Sequence, residues 1–229
     1  VVVKKLHRLC KSGTAHIQYF KRDIEAPTKI RHRNIVKLYG CLHARHSYLV
    51  YDFLGGGSLA KIQSNDPTTA ELDWIKRANV IKGMANALSC TTNDCLQSLR
   101  LSSNNVLLDS DYEAHISDFD TARTLEPNLS NSTSFAGTFG YLTPVRCLQL
   151  LDGWSWELIM GKHPGDLILS LSSSNSHQSL LEETLDQRLP RPKKRVADEF
   201  ATITQLALAC LQTNPQSLPT IKQVSQKLS

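Results

Sequence analysis

Apolar and polar positions change their rhythm three times along the chain. VVVKKL at 1–6 is β-branched and apolar, then charged, and predicts a strand. NIVKLYG at 34–40 and SYLVYDF at 47–53 predict two more strands. Between the first and second of these strands, residues 14–26 are mixed and are compatible with a helix, which Pro27 would stop because proline lacks an N–H and disfavours helix at Ala26. GGGS at 55–58 reads as a flexible connector and a natural boundary. Beyond it the period lengthens: Leu72, Ile75, Ala78, Ile81, Ala85 and Leu88 recur at helical spacing over 71–90. NVLLD and AHIS place a short hairpin at 105–108 and 114–117. Residues 121–150 have loop composition, 170–179 (SLSSSNSHQS) are low-complexity and expected to be mobile, and 197–212 and 219–228 predict two closing helices. Strands first and helices later predict an α+β protein of two lobes, residues 1–54 and 55–229, without internal repeats.

Composition narrows the class. The 229 residues are 41% hydrophobic and 21% charged, which is ordinary for a globular domain. A formal net charge of +5 is mild, and the basic residues are dispersed with few aromatics among them, which argues against a nucleic-acid partner. The one dense run, Arg191 to Arg195, is either a targeting signal or a solvated loop, and Pro190 and Pro192 favour the loop. Six cysteines form no CxxC pair, which predicts reduced thiols in a cytosolic domain rather than a zinc or redox site. His43 and His46 have no second ligand pair and read as surface loop. No apolar run is long enough to span a membrane and no signal peptide is visible, so no membrane contact is expected from this chain. Its first residue is Val, as expected of a piece of something longer.

Several fragments occur in a telling order: VVVK (1–4), HRNIVKLYG (32–40), LVYDFLGGGSL (49–59), SSNNVLLD (102–109), SDFD (117–120), AGTFGYLTP (136–144) and MGKHPGD (160–166). Each is weak alone. Together, nearly end to end, they resemble the kinase domain of plant leucine-rich-repeat receptor-like serine/threonine kinases. The resemblance implies a two-lobed kinase fold with a partial first lobe, lacking two strands and a glycine-rich loop ahead of Lys4. It also implies ATP and Mg2+ as cofactors, and a protein substrate or another receptor-like kinase as partner. The implied location is the cytoplasm, or the cytoplasmic side of the plasma membrane in a longer receptor.

Phosphoryl transfer requires a cation on the phosphates, oxygen ligands for magnesium and a residue that orients the substrate. The resemblance assigns the phosphate cation to Lys4, which otherwise reads as an exposed lysine at a strand end. Its carboxylate partner falls at Asp23, one methylene shorter than the family's Glu. The magnesium ligands fall at Asn105 and Asp118, which otherwise read as a turn residue and a surface acid. Adenine is expected against Tyr51, the Asp52 carbonyl and the Leu54 amide, between Val2 above and Leu107 below. The family has Ala at the Val2 position, and the extra methyls crowd the purine.

The departures concern catalysis. The family's His-Arg-Asp is replaced by Ser98, Leu99 and Arg100, so a permanent cation occupies the place of the substrate-orienting base. Asp120 stands where the family has glycine after DF, with more negative charge near the phosphates. Thr143-Pro144-Val145 replaces Ala-Pro-Glu, and Leu218 replaces the arginine that pairs with that Glu, so both halves of one ion pair are apolar. Between Val145 and Met160 most of a central buried helix is expected to be missing, with Trp154 and Trp156 filling part of the core. These substitutions point to a pseudokinase with weak or no ATP binding and a signalling or docking role. The alternatives are an active serine/threonine kinase and a non-functional truncated product.

Overall fold

The computed structural model describes residues 1–6, 31–43, 47–64, 71–93, 102–117, 147–162, 185–210 and 219–229. The helix expected over 14–26 and the low-complexity run 170–179 lie outside them.

The first sheet contains β1 (Val2–Leu6), β2 (Leu38–His43) and β3 (Ser47–Tyr51) in the order β1-β3-β2, antiparallel throughout. Val2 pairs with Tyr51 and Lys4 with Leu49. Because alternate residues of a strand share a face, Val2, Lys4, Leu49 and Tyr51 project to the same side. Leu49 is fully buried there, whereas Val3 is 57% exposed.

The second sheet consists of β4 (Gly57–Ser58), β5 (Val106–Leu108) and β6 (Ala114–Ile116). Val106, Leu108, Ala114 and Ile116 are buried on one face, while Leu107 and His115, paired across the hairpin, occupy the other. Two expectations are corrected here. GGGS is an ordered turn and strand rather than a flexible connector: Gly56 N–H donates to Leu108 O at 3.0 Å, and Gly57 has φ +82°. A Cβ on Gly56 would lie 2.5 Å from Asp109 O, so close backbone approach requires glycine. The strand read from 34–40 begins only at Leu38. Residues 34–36 serve the second sheet instead: Ile35 bridges Ile116, Val36 N–H donates to Ile116 O and Ile116 N–H to Asn34 O. The buried Asn34 amide also donates to Ala114 O at 2.9 Å and lies against Gly83.

The helices among the described residues are α1 (Leu59–Ser64), α2 (Trp74–Asn93), α3 (Cys147–Met160), α4 (Lys194–Cys210) and α5 (Ile221–Leu228). α2 packs against β6, α3, α4 and α5 and is buried over most of its circumference. Of the apolar positions that predicted it, Ile75 is the exception, 59% exposed. α3 corrects two expectations, since a central helix of 14 residues is present and its first turn falls within the supposed loop 121–150. Trp154 and Trp156 are buried in it as expected. α4 buries Phe200, Ile203, Thr204, Ala207 and Cys210 at helical spacing. It starts at Lys194, so the basic run is solvated but only partly loop. α5 opens with a capping box in which Thr220 Oγ1 accepts from Gln223 N–H and Gln223 Oε1 accepts from Thr220 N–H.

A buried ionic cluster joins these helices to residues 185–190. Arg77, with no solvent exposure, donates to Leu72 O, Leu158 O and Asp186 Oδ2 at 2.9, 2.6 and 2.7 Å. Arg188 grips the same carboxylate through Nε and Nη2 and reaches Gly161 O at 2.6 Å. Burial alone would raise the Asp186 carboxyl, but hydrogen bonds from Arg188 and Arg77 reverse this and hold it below its ordinary value. Burial lowers Arg77, against the opposing pull of Asp186.

Candidate functional site

Two sheet faces carry the residues singled out for nucleotide chemistry. On the first, alternation and register bring Val2, Lys4 and Tyr51 together. Lys4 is half-buried and Val2 is 43% exposed. The chain leaves β3 through Asp52, whose N–H donates to Lys37 O at 2.9 Å and whose Oδ1 accepts from Phe53 N–H at 3.0 Å. These two bonds fix the backbone of the connector. Among the described residues, no turn or loop hydrogen bond occupies the Asp52 carbonyl or the Leu54 amide.

On the second sheet, Leu107 stands between Ser58 and His115 in register, half-buried, on the face away from the helical core. His115 Nε2 lies 3.1 Å from Asp109 Oδ2. Burial would raise Asp109, but the bond to His115 and the N–H groups of Glu113 and Asp111 hold it below its ordinary value. The hairpin turn is thereby closed on a carboxylate, with Tyr112 at φ 62° beside it.

Asn105 ends a single 3-10 turn, Ser103–Asn105, and enters β5. Its N–H donates to Ser102 O at 2.8 Å. Its carbonyl accepts twice from one residue, from Ser117 N–H at 2.8 Å and Ser117 Oγ at 2.9 Å. Ser117 follows β6 and immediately precedes Asp118 in the chain. The hairpin therefore brings Asn105 beside the residue that leads into Asp118.

Protein-family comparison decides the class, because the model of the protein kinase domain matches residues 1–228. The chain belongs to the protein kinase family. It is 41% identical over 246 residues to a probable leucine-rich repeat receptor-like protein kinase of Arabidopsis thaliana, covering all of this chain and 22% of that protein. It is 42% identical over 247 residues to the MDIS1-interacting receptor like kinase 2 of the same plant, covering all of this chain and 24% of that one. An LRR receptor-like serine/threonine-protein kinase of Oryza sativa subsp. japonica is 32% identical over 251 residues, with 25% of its length covered. The chain thus spans about a quarter or less of these relatives. It is a kinase-like domain of the plant receptor-like kinase type, with the α+β architecture of that fold.

Within this kinase domain, the described residues include Val2, Lys4, Tyr51, Asp52, Leu54, Asn105 and Leu107. Asp23, Arg100, Asp118 and Asp120 lie outside them, as do Val145 and Leu218. No group of three or more His, Cys, Asp or Glu side chains is clustered for a metal ion among the described residues. No helix among them is long and apolar enough to cross a membrane. Cys41 is an exposed free thiol. Sequence reasoning passed over Ser117 as a contributor in its own right. The available signal was its place just past the strand that pairs with the asparagine's own.

Proposed function

We propose that this chain is a pseudokinase domain of the receptor-like kinase family that retains a nucleotide cleft and has lost phosphotransfer. The observation that carries the reading is Arg100, five residues ahead of Asn105, at the position of the substrate-orienting carboxylate. A guanidinium carries only donors and stays protonated near neutral pH, so it cannot accept the substrate hydroxyl's proton. Asp120, in the place of a glycine, would add negative charge near the phosphates, and Asp tolerates the special torsions open to glycine only partly.

Protein kinase domains use ATP and Mg2+, and the donor set of this chain fits both. Asn105 and Asp118 offer the hard oxygens that magnesium prefers, and Ser117 fixes the Asn105 backbone. Lys4 would hold the phosphates from the face it shares with Val2 and Tyr51. Asp23 would pair with Lys4, one methylene short of the usual reach. The Asp52 carbonyl and Leu54 amide would meet the adenine edge, with Leu107 below it and Val2 above. Bound magnesium would supply charge neutralisation at the phosphates. With the division at 1–54 and 55–229, the cleft would lie between the two lobes. The domain would act from the cytoplasm, or from the cytoplasmic side of the plasma membrane in a longer receptor, by docking to a second receptor-like kinase or a protein substrate.

A second reading, an active serine/threonine kinase, draws support from Lys4, Asn105 and Asp118 being retained together. Positioning and electrostatics supply much of phosphoryl-transfer catalysis and can survive loss of a base. Calorimetric titration of the 229-residue chain with Mg-ATP tests the cleft. The expected dissociation constant is on the order of 0.1–1 mM, roughly −5.5 to −4 kcal/mol. A low-micromolar constant would contradict a compromised pocket.

A further inference from the structure

Ser117 makes two bonds to one atom. Its N–H and its Oγ both reach the Asn105 carbonyl, at 2.8 and 2.9 Å. A carbonyl oxygen has two acceptor sites, and here both are taken by a single residue. The N–H bond continues the hairpin ladder beyond the Val106–Ile116 pair. The hydroxyl bond is not required by the ladder, since β-pairing uses backbone groups alone. The 3-10 turn on the other side of Asn105 contributes one more restraint through Ser102 O. Asn105 is thus held from both flanks, and half of the hold on its carbonyl comes from a side chain.

We propose that Ser117 is a positioning residue for magnesium: its hydroxyl fixes the backbone of Asn105. This rests on the reading of Asn105 and Asp118 as the magnesium ligands. Ser117 is bonded along the chain to Asp118 and hydrogen-bonded to the backbone of Asn105. Loss of the hydroxyl leaves the ladder bond in place but releases one of the two bonds that Ser117 makes to the asparagine's carbonyl. The effect therefore falls on the metal rather than on the base or the phosphates.

The experiment compares the parent chain with Ser117→Ala, Ser117→Cys and Ser117→Thr. Binding of the non-hydrolysable analogue AMP-PNP is measured with and without magnesium chloride, and thermal melts are recorded in parallel. For Ala and Cys, the magnesium concentration at half-effect should rise about three- to tenfold, the scale of one lost hydrogen bond. Metal-free AMP-PNP affinity should be unchanged, and Thr, which keeps the hydroxyl, should restore the parent value. The Cys variant carries the test if Ala does not fold, because a thiol preserves volume but is a weak donor. An unchanged magnesium requirement in a folded Ala or Cys variant overturns the proposal alone. An equal loss of metal-free binding also overturns it, by showing a general structural role. A parent chain whose AMP-PNP binding shows no magnesium dependence overturns both the proposal and the ligand assignment beneath it.

Discussion

Replacing Arg77 with alanine removes the centre of the buried ionic cluster. Arg77 has no solvent exposure, and its three bonds run to Leu72 O, Leu158 O and Asp186 Oδ2. After truncation the two carbonyls lose a charged donor. Asp186, only 4% exposed, keeps its paired contact with Arg188 and is not wholly stranded. Breaking a buried pair from one side typically costs about 3–5 kcal/mol, and Arg188 places this case toward the lower end. In a chain of this size each kcal/mol moves the melting temperature by roughly 2–4 °C, so a drop of about 6–12 °C is expected. Asp186→Ala should cost at least as much, because it leaves the more deeply buried Arg77 without its carboxylate. The double variant should be well short of the sum, with a coupling of about 1–3 kcal/mol in a double-mutant cycle. Melts followed by calorimetry supply the four corners. A loss below about 1 kcal/mol for Arg77→Ala, or strict additivity, would refute the claim that this cluster fastens residues 185–190 to α2 and α3.

The same cluster predicts an acid limit. The Asp186 carboxyl is held below its ordinary 3.8, so its contribution is complete above that value and is lost as pH falls below it toward the lowered native value. Asp109 titrates in the same direction. Melting temperature should therefore fall between pH 5 and the acid side of that limit, and Asp186→Asn, already destabilised, should fall less over the interval. Gly161→Ala should destabilise by at least about 2 kcal/mol, combining a left-handed backbone with overpacking. At φ +69° its Cβ would lie 2.0 Å from Asp186 Oδ2. Gly40→Ala is the control: no atom lies within 4 Å, and its melting temperature should stay close to the parent value.

Local pattern disclosed much of this fold. β1, β3, the hairpin and the two closing helices follow from apolar spacing over a few residues, because their side chains bury faces defined within each element. What escaped depends on partners distant in sequence. Arg77 breaks an apolar helical pattern, and the carboxylate that permits its burial lies 109 residues on. The glycines at 55–57 read as a flexible connector because composition does not disclose that Gly56 must pass Asp109 O. Residues 34–36 have strand character, yet they pair with Ile116 in another sheet. In the site, strand alternation placed Val2 and Lys4 on one face, and register added Tyr51. The pair of hydrogen bonds from Ser117 to Asn105 needed the hairpin register, which the sequence expresses only through its length and turn residues.

The loss of phosphotransfer is the central functional claim, and transfer of radiolabelled γ-phosphate tests it most directly. The chain is incubated with Mg-ATP and a generic basic protein substrate, with Lys4→Met as background. A positioned base contributes about 10²–10⁴-fold, and Arg100 cannot replace it. On the proposed assignment, Asp23 would shorten the partner of the lysine and Asp120 would disturb the magnesium segment. Labelling of substrate by the parent chain should be indistinguishable from Lys4→Met, and Arg100→Asp alone should not restore it, because these parts act as one assembly. Turnover that disappears in Lys4→Met would contradict the pseudokinase account and establish an active kinase.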